Sequence, residues 1–471
     1  MGRQKLRVAL SALFLISLAV AACTATPTPA PTAARPAATQ PVAPTAPPPA
    51  TAVPKTITLS VATNRVGTQA KLLEEIARKF EQENPGIKID FSAPGQEYEH
   101  LMKLKMAAKD MPDVFSTHGW AKIRYGEFLA DLRDQPWAKN IDPAIKPAVV
   151  DEAGKVYVLP MDQEKGGPIY NVDILKEYGV QVPKTWDQLL AACETISTKS
   201  GGKVTCIHMG GADSWPVGQY YDFFSTPLAI SPKTNDAQAL LDGKYDWSKY
   251  VTLSRNLLTL KEMGSLSKDA LTAKSSASAR AFAEGKVAFG FYGAFLCEEA
   301  LKTNPKVNCG LMPIPALAPG DEPTLVGGEM TTWGVWKDSK NIEAAKKLVA
   351  FYARPENIAA VANSNRLPAG LSGVQIDAGY LTPFYAEYAN LRVFPYFDRV
   401  YLPNGMWDVL CKAGQDVLAG GATPEQVTET IKKEYERLRA AREVRRSHGR
   451  ALADGWKQRS PSALLPLLSG E

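Results

Sequence analysis

Between Thr24 and Thr56 the chain carries ten prolines, many Ala and Thr, and two charges, Arg35 and Lys55. Such a stretch has too little apolar bulk to offset the entropy lost on ordering it, so it is expected to stay unfolded. Its proline density biases it toward extended polyproline II at about 3.1 Å per residue, enough to span roughly 100 Å. Whatever folds must therefore begin after Thr56.

What precedes the stretch is equally constrained. Arg3, Lys5 and Arg7 are followed by an apolar run from Val8 to Val20. The run is shorter than the ~20 residues of a membrane span. A basic start, a short apolar run and small residues at its end read as a secretory signal. The end of the run, Val20-Ala21-Ala22-Cys23, resembles the lipobox of bacterial lipoproteins. That resemblance implies acylation of Cys23 after cleavage; the alternative is a chance cysteine behind a plain secretory signal. The expected organisation is a lipoprotein signal peptide over 1–22 and a disordered tether over 23–56. The chain then reads as a protein tethered to the extracytoplasmic face of a bacterial membrane.

About 400 residues remain, long enough for two large lobes. With 45% hydrophobic and 22% charged residues and no later run of 18 apolar residues, this body is expected to be globular and not to cross a membrane. The formal charge is +5, but the segment Arg437–Glu471 holds eight Lys/Arg against three Asp/Glu. The central body is thus near neutral, which argues against a nucleic-acid groove or a polybasic membrane face. Five cysteines follow Cys23: Cys193, Cys206, Cys297, Cys309 and Cys411. Local spacing favours Cys193–Cys206 and Cys297–Cys309, each closing a short helix-to-strand loop. Spacing leaves other pairings open, and reduced buried thiols are the alternative. No CxxC occurs, which argues against zinc or thioredoxin-type chemistry.

The body opens with strand-like Ile57–Ala62 and a helix over about Gln69–Glu83, with Leu72, Leu73, Ile76 and Phe80 at helical spacing. The strand "IKIDFS", a helix over Glu97–Lys109, the short strand in "PDVFS" and an amphipathic helix at "YGEFLADL" follow. Strand alternating with helix predicts an α/β fold with a mainly parallel, doubly wound sheet. Thr185 and Gln188 form a capping box ahead of the helix in "TWDQLLAACETI". Two helices close the domain near Met406–Leu418 and Pro424–Leu438, and the basic tail over 441–471 is expected to be poorly ordered.

Five segments, "DMPDVFSTHGW", "PIYNVDILKEYGV" with "PKTWDQLL", "FAEGKVAFGFYG", "VGGEMTTWGVWKDSKNIEAAKKLVAFYARPEN" and "VLAGGATPEQV", occur in an order that resembles a known family. It is that of the extracellular solute-binding proteins of ATP-driven sugar importers, which includes maltose-binding protein. The pieces cover most of Ile57 to Arg437. The resemblance implies a two-lobed periplasmic-binding-protein fold of type II, with a ligand cleft between doubly wound lobes. Lobe 1 would be 57–165 plus 328–368, and lobe 2 169–326 plus 372–440. Hinge crossings would fall near Lys165–Pro168, Val326–Gly328 and Pro368–Ser372, where Gly166-Gly167 and Gly327-Gly328 could absorb backbone rotation.

Catalytic motifs are absent from the sequence: there is no HExxH, G-x-S-x-G or GxxxxGK[ST]. Asp162 and Glu164, at i, i+2 on an extended segment, face one side, where a glycosidase needs carboxylates on opposite faces of its substrate. The chain is therefore read as a non-enzyme with no cofactor and no metal. Binding chemistry is better supplied, because aromatic planes cover the C–H faces of a sugar and carboxylates or amides bond its hydroxyl rim. By resemblance, Trp120 lines the first lobe and Glu164 matches a sugar-binding glutamate. Trp215 and Phe295 match cleft aromatics of the second lobe, with Phe295 standing where the family often has Trp. Glu329, Trp407, Asn64, Tyr98 and Asp162 are lesser candidates, whereas Trp186, Trp247 and Trp336 are assigned to the core. The resemblance implies a monomer that captures a carbohydrate, an oligosaccharide by preference, and delivers it to the transmembrane subunits of an ABC permease. The alternatives are a binder of a polyamine, glycerol phosphate or peptide and, last, a tethered polysaccharide hydrolase.

Overall fold

The computed structural model describes residues 56–457. The signal peptide, most of the tether, the lipidation site Cys23 and the last part of the basic tail lie outside the described residues. No helix among the described residues is long and apolar enough to cross a membrane.

Among the described residues two large hydrophobic cores and a smaller third one form. The first is built by Leu59 and Val61 on one strand, Ile87 and Ile89 on the next, and helices laid over them. The helix Gly67–Glu83 buries Leu73, Ile76, Ala77 and Phe80, a single stripe at helical spacing. Phe80 meets Phe351 of the helix Ile342–Tyr352 edge to face at 5.5 Å. The Tyr352 hydroxyl donates to the Leu73 carbonyl at 2.7 Å, which locks the two helices together. The sheet under them runs in the order Ile87–Ser92, Ile57–Ala62, Val114–Phe115, Thr332–Val335, Leu159–Pro160.

The second core centres on the helix Trp215–Ala229. Twelve of its residues are buried, so it is enclosed around its circumference and sits inside the lobe. The helix Met406–Ala419 lies against it at close range. A Cβ on Gly414 would come within 2.2 Å of Val217 Cγ1, and one on Gly218 within 2.5 Å of Cys411 Sγ. The neighbouring sheet runs Thr205–Ile207, Val287–Gly290, Ile169–Asn171, Cys309–Leu311. Two disulfides, Cys193–Cys206 and Cys297–Cys309, each staple a helix to the strand that follows it. Cys411 is a free buried thiol whose pKa burial pushes up to about 12.

The sheets are mixed rather than mainly parallel. Pairing is parallel where a helix returns the chain to the same end of the sheet, as for Ile57–Ala62 with Ile87–Ser92. Strands that enter or leave through the hinge come from the other end and pair antiparallel. Thr332–Val335 does so against Val114–Phe115, and Ile169–Asn171 against both of its neighbours. The helix expected at "YGEFLADL" is instead a run of turns. Its amides are claimed by strands elsewhere: Ala130 N–H donates to Val335 and Leu132 N–H to Val156. At the capping box, Thr185 accepts from the Gln188 amide, and Gln188 reaches back to Lys184 N–H rather than to Thr185. The closing helix, Pro424–Lys457, runs on past Ala441 into the tail expected to be poorly ordered. The Ala, Arg and Glu residues there carry high helix propensity and extend a helix already nucleated.

Trp186 is 8% exposed and meets Phe224 edge to face at 5.3 Å, while Trp247 packs among Tyr245, Tyr250 and Tyr435. Trp336 packs, partly buried, against the first core. Trp186→Ala should therefore cost about 3–5 kcal/mol of stability, as buried aromatics do. Chemical denaturation measures this, and a loss below about 1 kcal/mol would place Trp186 outside the core.

Candidate ligand-binding site

The two lobes are joined by a ribbon. Gln163–Gly166 pairs antiparallel with Leu325–Glu329, in the register Gly327↔Lys165 and Gly328↔Glu164, and Val393–Pro395 adds a third strand. A further connection runs between Leu371, which packs in the first core, and Ala378, which packs in the smaller third core with Ile169, Val287 and Leu296; Ile376 touches both. The ribbon glycines have ordinary φ values. Their reason is close approach: a Cβ on Gly327 would lie 2.2 Å from the Glu164 carbonyl oxygen, and one on Gly328 2.6 Å from the Tyr396 ring. They pack the ribbon tightly rather than lending it conformational freedom.

Glu164 leaves this ribbon toward the second lobe. It accepts a hydrogen bond from the Tyr396 hydroxyl, and its Oε1 lies against Gly293, where a Cβ would be 2.5 Å away. Burial pushes its pKa up to about 7, against the pull of Arg399, the Ala294 amide and Arg65. Glu329 at the end of the partner strand is fully buried, and burial lifts it too to about 7.

Two backbone outliers mark the walls. Among the described residues four non-glycine ones have positive φ; Lys109 and Arg366 are left-handed caps at helix C-termini. The other two are His118, φ 45, and Ser214, φ 57, and each stands beside a candidate tryptophan. Strain of that kind concentrates at functional sites. Ser214 opens the helix that begins with Trp215, which is partly exposed. The indole of Trp215 meets Tyr292 at 5.3 Å and Phe295 at 5.2 Å, both edge to face. Phe295 is 40% exposed, the start of a helix whose Cys297 is tied down by the disulfide to Cys309. Trp407, partly exposed, abuts Gly218 in the first turn of the Trp215 helix.

The first-lobe wall differs from expectation. Trp120 is 8% exposed, and guanidinium groups cover it: Arg124 Cζ lies 4.0 Å and Arg399 Cζ 4.7 Å from its ring centroid. Little of the indole is left exposed there. Tyr98 and Asp162 are buried and hydrogen-bonded within the protein. Tyr98 is 1% exposed and its hydroxyl donates to the Ser116 carbonyl. Ser116 Oγ in turn donates to Asn64 Oδ1 at 2.9 Å, so the three form a prop behind the wall. Asp162 is fully buried and accepts from Thr331 N at 2.6 Å, from Thr331 Oγ1 at 3.1 Å and from Asn365. Its carboxylate is consumed in fastening the hinge to the first lobe.

Other groups were not singled out from sequence. Arg65 Nε and Nη2, Arg399 Nε and Nη1, and Gln219 Nε2 are buried donors without hydrogen-bond acceptors. Arg65 lies close enough to Asp162 and Glu164 to feel both charges. Burial holds the nearby His118 down at about 4, so it is neutral between the two arginines and Glu99 at physiological pH. Beneath Arg399 the Asp398 amide donates to Asp222 at 2.9 Å, and burial raises the pKa of both acids. Gln219 was legible in principle, because it follows Trp215 by four residues and shares its helix face. Arg65 and Arg399 carry no such local signal. The site thus combines an aromatic cluster, buried donors awaiting acceptors and two carboxyls near neutrality, around a hinge: a receptor for a polar, largely uncharged ligand.

Comparison with known proteins agrees with this architecture. Residues 63–359 match the family described as bacterial extracellular solute-binding protein. The melibiose/raffinose/stachyose-binding protein MelE of Bacillus subtilis (strain 168) is 40% identical over 391 residues, 83% of this chain and 91% of that protein. A crystal structure of a Bacillus subtilis binding protein in an open conformation matches with a TM-score of 0.77 at 40% identity, covering 83% of this chain and 100% of the other. A sugar transporter from Bacillus licheniformis in complex with stachyose matches with a TM-score of 0.73 at 43% identity, covering 81% and 100%. The chain belongs to the bacterial extracellular solute-binding proteins.

Proposed function

We propose that this protein is the lipid-anchored receptor of an ABC importer, held to the outer face of the cell membrane through Cys23, and that it captures oligosaccharides of the melibiose, raffinose and stachyose type. The observation that carries the reading is the partly exposed pair of rings Trp215 and Phe295, in contact at 5.2 Å, together with the buried, acceptor-less donors of Arg65 and Arg399, which lie near enough to Glu164 to act on its charge. A neutral oligosaccharide supplies what each lacks: C–H faces for the rings and hydroxyl oxygens for the donors. The names of MelE and of the stachyose complex support the choice of sugars. The proline-rich tether gives the receptor reach from its lipid to a permease, to which it would dock as a monomer. Ligand would favour closure, because only approached lobes contact it from both sides. The reading contains no catalytic step: Asp162, one of the two acids a hydrolase would need, is occupied by Thr331 and Asn365.

A thermal-shift panel of melibiose, raffinose, stachyose and maltose tests the reading directly. Raffinose or stachyose should raise the melting temperature, since a ligand at 100 times its Kd adds about 2.7 kcal/mol. No shift with any galactosyl sugar would overturn it. Trp215→Ala should weaken raffinose binding about ten-fold while melting close to wild type, because a partly solvated ring leaves no large internal cavity. Normal affinity with a much earlier melt would make Trp215 a packing residue. Glu329 supplies a pH test. Its folded pKa of about 7 exceeds the ordinary 4.5, so between those values the native state holds a proton that the unfolded state has released. Stability from this group is therefore present below pH 4.5 and lost as pH rises to about 7. Relative to wild type, Glu329→Gln should gain on the order of 2 kcal/mol between pH 4 and pH 8 in denaturation measurements. A pH-independent difference would show that Glu329 ionises normally.

A further inference from the structure

We propose that Arg399 is a ligand-contacting residue of the cleft and that Trp120 acts through it, as the platform that positions its guanidinium; the ligand assignment rests on the oligosaccharide reading above. The guanidinium carbon lies 4.0 Å from the Tyr396 ring centroid and 4.7 Å from that of Trp120. Tyr396 packs in the second core and Trp120 in the first, so one cation is held against a ring from each lobe. The Arg399 side chain is 10% exposed, and the Asp398 carboxylate approaches its Nε only to 3.7 Å, beyond hydrogen-bond distance. Nε and Nη1 are left buried without acceptors. A buried donor in that state costs stability unless something else supplies the acceptor.

The geometry shows what that something is. Aromatic rings grip a guanidinium by its flat faces, which leaves its in-plane N–H groups free at the edge. Gly119 makes room for the guanidinium in this position: a Cβ there would lie 2.2 Å from Arg399 Nη1. Unpaired in-plane N–H donors call for hydroxyl oxygens, the rim of a sugar. Arg124 also covers Trp120 at 4.0 Å, anchored by Glu99 at 2.7 Å and by Asn404 across the cleft at 3.2 Å. Because Arg399 belongs to the second lobe and Trp120 to the first, the fork is in place only when the lobes are near each other. Ligand recognition and lobe approach are thereby coupled through one side chain.

A double-mutant cycle tests this, read by calorimetric titration with raffinose and by melting of the ligand-free protein. Arg399→Ala and Trp120→Ala should each weaken raffinose binding about ten-fold or more, with the double variant little weaker than Arg399→Ala alone. Trp120→Phe, which keeps a flat ring, should retain most of the affinity. Arg399→Lys, which keeps the charge but lacks the planar fork, should not. Losses that multiply in the double variant, or unchanged affinity in Arg399→Ala, would overturn the proposal. If wild type ignores raffinose, the oligosaccharide reading falls, and the ligand-free melts still decide the pair. A shared, non-additive loss of melting temperature supports the stack, and independent losses refute it.

Discussion

The pairing of Gln163–Gly166 with Leu325–Glu329 is the constraint on which the rest of the structure depends. It brings two chain crossings together at backbone contact, which only glycine permits at Gly327 and Gly328. From that ribbon Glu164 reaches Tyr396 in the second lobe, while Asp162, two residues before Glu164, fastens Thr331 and Asn365 in the first. Buried hydrogen bonds to carboxylates are strong and directional, so the ribbon holds both lobes in register with the cleft between them.

The cleft itself departs from the rule that buried charge is paired. Arg65 and Arg399 keep donors without acceptors, and Glu164 and Glu329 are pushed toward neutrality by burial. Each departure costs stability, and the left-handed backbone at His118 and Ser214 adds to it. The surrounding cores offset that cost. The Trp215–Ala229 helix is buried around its circumference, and the Cys297–Cys309 disulfide ties the Phe295 helix to its strand. Rigid packing behind a strained, undersatisfied surface is what a preorganised binding site requires, because the ligand then meets groups that are already desolvated.

Much of this was legible in the chain. The periodicity of Leu73, Ile76 and Phe80 follows from local chemistry, as do the capping Thr185 and the nearby cysteine pairs. Trp215 and Phe295 could be singled out through the family resemblance, and both open helices. Trp120 was equally conspicuous, yet its indole is covered by two cations from distant segments, Arg124 and Arg399. The turns at Tyr125–Leu132 misled for a similar reason: their helical periodicity is real, but Ala130 and Leu132 give their amides to strands elsewhere.

The division has one physical cause. The sequence alone determined where folding can start, the α/β alternation, the family resemblance and the supply of aromatic and acidic side chains, because each depends on neighbours within a few turns of chain. Tertiary structure decided which of those side chains face the cleft and which serve the hinge. It turned Asp162 and Tyr98 inward, left Arg65 and Arg399 with open donors and placed a ring from each lobe against one guanidinium. Those outcomes depend on contacts between residues hundreds of positions apart, such as Thr331 with Asp162 and Tyr396 with Glu164, and only packing brings them within bonding distance.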